Sequence, residues 1–173
     1  LKNAAPDAVA SVIARAEELK AAAETIKGAE DIFYIGRGAD YFLAEEASLK
    51  LKEVSYIHSE AYPAGELKHG TISLITDGVP VIAIANTREL HDKMINNIRE
   101  VRARGAYVLL LCGADFPETT GIADTVIRLP ALRVELMPLP TATAFQLLAY
   151  YTSVLRGCDV DKPRNLAKSV TVE

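Results

Sequence analysis

The chain has 173 residues, 50% of them hydrophobic and 24% charged, a balance that suits one globular domain with a continuous core and argues against a disordered chain. A net charge of -4 leaves no basic footprint for nucleic acid, and no apolar run approaches the roughly 18 residues that cross a membrane. The N-terminus lacks the basic and apolar regions of a signal peptide, and Cys112 and Cys158 fit no CxxC or CxxH spacing. Free apolar thiols, a cytoplasmic location and no metal or cofactor are the expectation. A first residue of Leu1 reads as a piece of something longer.

In chain order, residues 7–27 have helical spacing, with Val9, Val12, Ile13, Ala16, Leu19 and Ala23 on one side. Asp7, after Pro6, can cap the start and Gly28 can stop it. "DIFYIGRG" is a short apolar run ending in glycines, as a parallel strand entering a loop would be. Residues 41–57 return to helical spacing through Ala44, Ala47, Leu51 and Val54. "VPVIAIA", Val79 to Ala85, reads as a strand buried on both faces. A helix from about Arg88 to Arg104 follows, with Leu90, Met94, Ile98 and Val101 inward. "AYVLLLC" predicts a further strand, Thr125 to Leu129 a weaker one, and residues 141–156 a helix ending at Gly157.

Strands alternating with helices imply right-handed crossovers and a parallel sheet, hence an α/β three-layer sandwich with helices on both faces. The division expected is a connecting helix over 1–28, the sandwich over 29–157 and a tail over 158–173. Sites in such sheets lie beyond the carboxyl ends of the strands, where "GRGAD", "ANTRE" and "CGADF" fall. None is a Walker loop, and "GRGADY" lacks the third glycine of a dinucleotide fingerprint, so its glycines read as turn residues.

Residues with chemistry concentrate in "LKLKEVSYIHSEAYPAGELKHG". Lys50 and Glu53 are neighbours on one helical face, either as a surface ion pair worth about 0.3 kcal/mol or as a base held ionised by its partner. His69 lies in a Pro/Gly-punctuated segment, which favours a loop and exposure over His58, although a histidine there can also be a plain hydrogen-bonding residue. Lys168 is a candidate nucleophile. Its neutral amine costs about 4–5 kcal/mol at pH 7 unless burial or a nearby cation such as Arg164 lowers its pKa. An amine for a Schiff base, a carboxylate to shuttle a proton between C1 and C2, and an imidazole to open a ring would serve aldose–ketose chemistry. Spacing alone does not assign it.

"SLKLKEVSYIHSEAYPAGELKHG" and the ending "DVDKPRNLAKSVTVE" closely resemble the glucosamine-6-phosphate synthases, the isomerising glutamine–fructose-6-phosphate aminotransferases, and the likeness runs from about Ile32 to Glu173. It is specific to the second of two sugar-isomerase (SIS) subdomains, which implies a flavodoxin-like topology. It also implies that the first SIS subdomain and the glutaminase domain are absent from this chain. By that resemblance Lys168 forms the imine with fructose 6-phosphate and Glu53 moves the proton between C1 and C2. Lys50 assists, and His69 opens the ring from across a subunit boundary. Lys168, Glu53 and His69 are then also the substrate-binding residues, with glucosamine 6-phosphate as product and a homodimer as the assembly.

The resemblance puts the phosphate on a Ser/Thr/Gln-rich loop of the first subdomain. "ANTRELHD" here keeps Asn86 and Thr87 but has no serine cluster. The isolated chain is therefore expected to be inactive and to bind fructose 6-phosphate weakly. The competing reading is a non-catalytic SIS module for sugar-phosphate binding or dimerisation, and the complete Lys50, Glu53, His69, Lys168 set favours the enzyme.

Overall fold

The computed structural model describes residues 4–118 and 120–166. Helices α1 (Ala4–Ala14) and α2 (Ala16–Ile26) lead into strand β1 (Asp31–Gly36), helix α3 (Ala39–Ser55) and strand β2 (His58–Pro63). Two short 3₁₀ segments, Ala64–His69 and Thr71–Leu74, follow. Then come β3 (Pro80–Ala85), α4 (His91–Arg102), β4 (Tyr107–Gly113), β5 (Thr125–Leu129) and α5 (Pro138–Leu155). The five strands are all parallel in the order β2-β1-β3-β4-β5. That is the flavodoxin-like order, and it reverses direction of winding between β1 and β3.

Alternation along the strands builds two cores. Ile32, Tyr34, Ile82, Ile84, Leu109 and Leu111 face α1, α2, α3 and α5. Phe33, Ile35, Val81, Ala83, Val108 and Leu110 face α4 and the 3₁₀ segment after β2. Both faces of the sheet are thus covered, which is why β3 and β4 are apolar almost throughout. Side chains buried this fully, Leu51 and Ile98 among them, each contribute about 1.5–3 kcal/mol.

Three elements differ from the sequence reading. The spacing over 7–27 predicts one helix, but the chain breaks at Arg15. Arg15 instead reaches the Arg128 carbonyl at the end of β5 and pairs with Glu18 at 2.6 Å. Both resulting helices pack on α5, and Val12, Leu19 and Ile26 enter the core. β2 is not legible in "HSEAYP": it is an edge strand with mostly polar or half-buried positions, so it carries no apolar run. α5 starts at Pro138, earlier than the prolines suggest, because the first turn of a helix has no internal partner for the amide that proline lacks.

Cys112 and Cys158 are both free, and burial pushes the Cys112 thiol up to about 12. Among the described residues no helix is long and apolar enough to cross a membrane.

Candidate active site

Helix α3 begins beside the carboxyl end of β1 and finishes beside the amino end of β2, so its two ends lie at opposite edges of the sheet. The 17 residues of α3 span about 25 Å.

At the carboxyl edge the "GRGAD" turn is set by close packing. A Cβ at Gly36 would meet the Asp40 carbonyl oxygen at 2.4 Å, and Gly38 has a φ of 57°. Asp40, in the first turn of α3, is buried and points across the gap between β1 and β3. Its carboxylate accepts the Asn86 backbone N–H at 2.9 Å, the Thr87 backbone N–H at 3.1 Å and the Asn86 side-chain amide at 3.1 Å. Burial raises the Asp40 pKa, and the amide hydrogen bonds of Asn86 and Thr87 work against that rise. The winding reversal, where a ligand anion would meet free backbone amides, is therefore filled by the chain's own carboxylate. A neighbouring cleft of about 230 Å³ is lined by Asn86, Arg88, Glu89, Asp115 and Met137 among others. Two carboxylates against one guanidinium match a phosphate dianion poorly.

Arg37 also has an internal task. It lies against Gly65, where a Cβ would come within 2.9 Å of its guanidinium, and it donates to the Asn97 side-chain oxygen at 2.8 Å. None of the three loops expected to host a site contains the paired acid and amine.

Those sit at the other edge. Lys50 and Glu53 are on the last turns of α3, with Lys50 Nζ donating to Glu53 Oε2 at 2.7 Å and Glu46 at 4.0 Å from the same ammonium. The hydrogen bond to Glu53 raises the Lys50 ammonium above its usual range. Both side chains are about one-third exposed or less, so the pair is reachable from outside without being freely hydrated. Lys50 opens on a groove of about 270 Å³ between α3, α5 and the start of the tail, lined by Val54, Gln146, Ala149, Tyr150, Val160 and Asp161.

The end of α3 is bound by groups from α5 and the tail. Ser153 Oγ donates to the Val54 carbonyl at 2.7 Å, and Arg156 Nε donates to the Ser55 carbonyl at 3.0 Å. A cation at a helix C-terminus also meets the negative end of the helix dipole. Asp159 then accepts the Asp161 and Lys162 amides, and the tail is followed as far as Leu166. Lys168 lies outside the described residues.

His69 ends the 3₁₀ segment after β2, 76% exposed and 3.6 Å from Glu66. This exposure agrees with the sequence reading, although His58 is exposed too, its Nδ1 2.6 Å from Asp31. Within one copy His69 and Glu53 stand apart. His69 is past the carboxyl end of β2 on the α4 side, and Glu53 is near its amino end on the α5 side. The length of β2 alone is roughly 20 Å. The structure thus brings Lys50 and Glu53 together and does not bring His69 to them. Asp40 escaped sequence reasoning, the only signal being an acid in the first turn of a helix that follows a glycine turn.

A five-stranded parallel sandwich in this strand order, carrying an acid–amine pair on a crossover helix, is a flavodoxin-like α/β domain. Within that class the chain belongs to the SIS domain family, which matches residues 25–156. It is 53% identical over 168 residues to the glutamine–fructose-6-phosphate aminotransferase [isomerizing] of Caldanaerobacter subterraneus subsp. tengcongensis, covering 97% of this chain and 28% of that protein. It is 49% identical over 168 residues to the protein of the same name from Thermococcus kodakarensis, again covering 97% and 28%. The chain therefore spans little more than a quarter of the length of these curated relatives. Among solved structures, the C-terminal domain of glucosamine-fructose-6-phosphate aminotransferase from Francisella tularensis superposes with a TM-score of 0.86 at 34% identity, over 91% of this chain and 44% of that one. A tagatose-6-phosphate ketose/aldose isomerase from Escherichia coli shares the fold at a TM-score of 0.74 and 20% identity, over 91% and 44%.

Proposed function

We propose that this chain is the second SIS subdomain of an isomerising glutamine–fructose-6-phosphate aminotransferase that works in the cytoplasm as a homodimer. The likeness to the curated enzymes of that name, at 53% identity over nearly the whole chain, is the observation that carries this reading. The Lys50–Glu53 hydrogen bond, with Lys50 lining a groove, supports it.

In this reading the Lys168 amine adds to C2 of open-chain fructose 6-phosphate and water leaves as the imine forms. Ammonia released by the glutaminase domain of the full-length protein replaces the lysine at C2. Glu53 takes a proton from C1 and returns one to C2, which leaves an aldehyde at C1 and an amine at C2, glucosamine 6-phosphate. Lys50 keeps Glu53 oriented through both transfers, its carboxylate charged before it takes the C1 proton and neutral until it gives one to C2. His69 opens the sugar ring, and its distance from Glu53 within one copy fits service to a second copy. The phosphate falls to the first SIS subdomain, since here Asp40 already holds the amides of Asn86 and Thr87. The chain alone is then inactive and a weak binder of fructose 6-phosphate.

Reduction of the full-length enzyme with borohydride in the presence of fructose 6-phosphate tests the assignment. Peptide mapping is expected to find the sugar on Lys168. Sugar on another lysine, or none, overturns it.

A further inference from the structure

We propose that Tyr56 and Arg164 form a clasp that fixes the C-terminal tail beside the last turn of α3, and that both are positioning residues for the amine of Lys168. The inference rests on the reading that Lys168 forms the imine, and adds to it the device that aims the lysine.

Two contacts join the pair. The Arg164 backbone N–H donates to the Tyr56 hydroxyl oxygen at 2.8 Å, and the Arg164 guanidinium lies 4.0 Å from the centre of the Tyr56 ring. One aromatic side chain thus holds both the backbone and the side chain of a single tail residue, which restrains its direction as well as its position. Tyr56 directly follows α3 and stands three residues from Glu53.

The backbone carries a second, independent sign. Among the described residues only two that are not glycine lie at positive φ: Tyr56 at 62° and Asn165 at 62°. Tyr56 is one partner of the contact, and Asn165 directly follows the other. Glycine would end α3 in this conformation without strain, and a bulky aromatic residue does so at a cost. Strain of this kind persists where the surrounding structure holds it, and it gathers at functional sites.

The chain leading to the clasp is fastened as well. Arg156 donates to the carbonyls of Ser55 and Lys27, and Val160 and Asp161 wall the groove that Lys50 enters. From Arg164 the chain can extend by at most about 14 Å before reaching residue 168, so the clasp sets the radius within which the amine works. Holding a nucleophile near its target removes much of the entropic cost of reaction, and small displacements reduce the rate steeply.

The test uses the full-length enzyme with Tyr56→Gly, Tyr56→Phe and Arg164→Ala. Tyr56→Gly removes the ring while suiting the backbone, so the melting temperature is expected to hold or rise. The rate of borohydride trapping at Lys168 and kcat are expected to fall at least about tenfold, with KM for fructose 6-phosphate little changed. Tyr56→Phe keeps the ring under the guanidinium and is expected to fall between Tyr56→Gly and the unaltered enzyme. Combining Tyr56→Gly with Arg164→Ala is expected to cost little more than either change alone. If the unaltered enzyme gives an adduct at Lys168 and Tyr56→Gly traps sugar just as fast, the clasp alone is overturned. If the unaltered enzyme gives no adduct at Lys168, the imine reading fails and takes the clasp's role with it.

Discussion

Two carboxylates at opposite edges of the sheet, Asp40 and Glu53, are treated in opposite ways. At the carboxyl edge, Asp40 is buried and its carboxylate is saturated by three donors from Asn86 and Thr87. At the amino edge, Lys50 and Glu53 keep one strong contact with each other, Glu46 lies 4.0 Å from the same ammonium, and Lys50 lines a groove. The first arrangement closes a crevice that parallel sheets of this topology commonly offer to ligands. The second leaves an ionised pair accessible. A polar group satisfied on every side contributes to stability, whereas chemistry needs one with capacity to spare.

The sharpest way to break this contrast is at Glu53. In the full-length enzyme, Glu53→Gln is expected to leave the Lys168 adduct in place and lower C1–C2 proton exchange by about 10²–10⁴-fold, measured by loss of label from deuterated fructose 6-phosphate. Undiminished exchange removes Glu53 from its role. The separation of His69 from Glu53 yields a second test. Glu53→Gln and His69→Ala proteins, each inactive alone, are expected to regain about a quarter of full activity when mixed and reassembled as random dimers, because half the dimers then hold one intact site. No recovery would place His69 outside the partner's site.

A change at Asp40 is expected to affect stability rather than turnover. Asp40→Ala leaves the amides of Asn86 and Thr87 without their buried acceptor, and is expected to cost about 2–3 kcal/mol in denaturant unfolding while sparing adduct formation at Lys168. A stable Asp40→Ala protein would mean the crevice is not held by that carboxylate. The smallest effect is at Asp124, where burial raises the pKa but the Val108 amide and the Arg102 guanidinium outweigh it and hold it below the usual range. Its stabilisation is then present above the ordinary aspartate pKa and lost as pH falls through that value toward the depressed one. Asp124→Asn is expected to cost about 1 kcal/mol at pH 7, reduced by partial exposure, and to differ less and less from the unaltered chain as the pH is lowered below the ordinary aspartate pKa.

Much of the sandwich was legible in the sequence, because a doubly covered parallel sheet writes its central strands as unbroken apolar runs, as in "VPVIAIA" and "YVLLLC". The edge strand β2 has no such signature: burial on one flank leaves "HSEAYP" polar enough to pass for a loop. The break at Arg15 depends on a carbonyl more than a hundred residues later in the chain, which no local spacing encodes. Lys50 and Glu53 were legible as a pair because helical spacing makes them neighbours. Their place at the amino edge was not, since the general rule for such sheets points to the other end. Asp40 was invisible for the same reason as Arg15, its partners being 46 and 47 residues away.

Helix α3 carries Asp40 on its first turn and Glu53 on its last, which gives its length a meaning that its composition does not. One residue added between them would turn everything beyond it by about 100° and advance it by about 1.5 Å. Either the plug or the acid would then face the wrong way, even with every side chain retained. Length changes in related chains should therefore collect in the turns around α3 and avoid the helix itself, which works as a gauge between two fixtures.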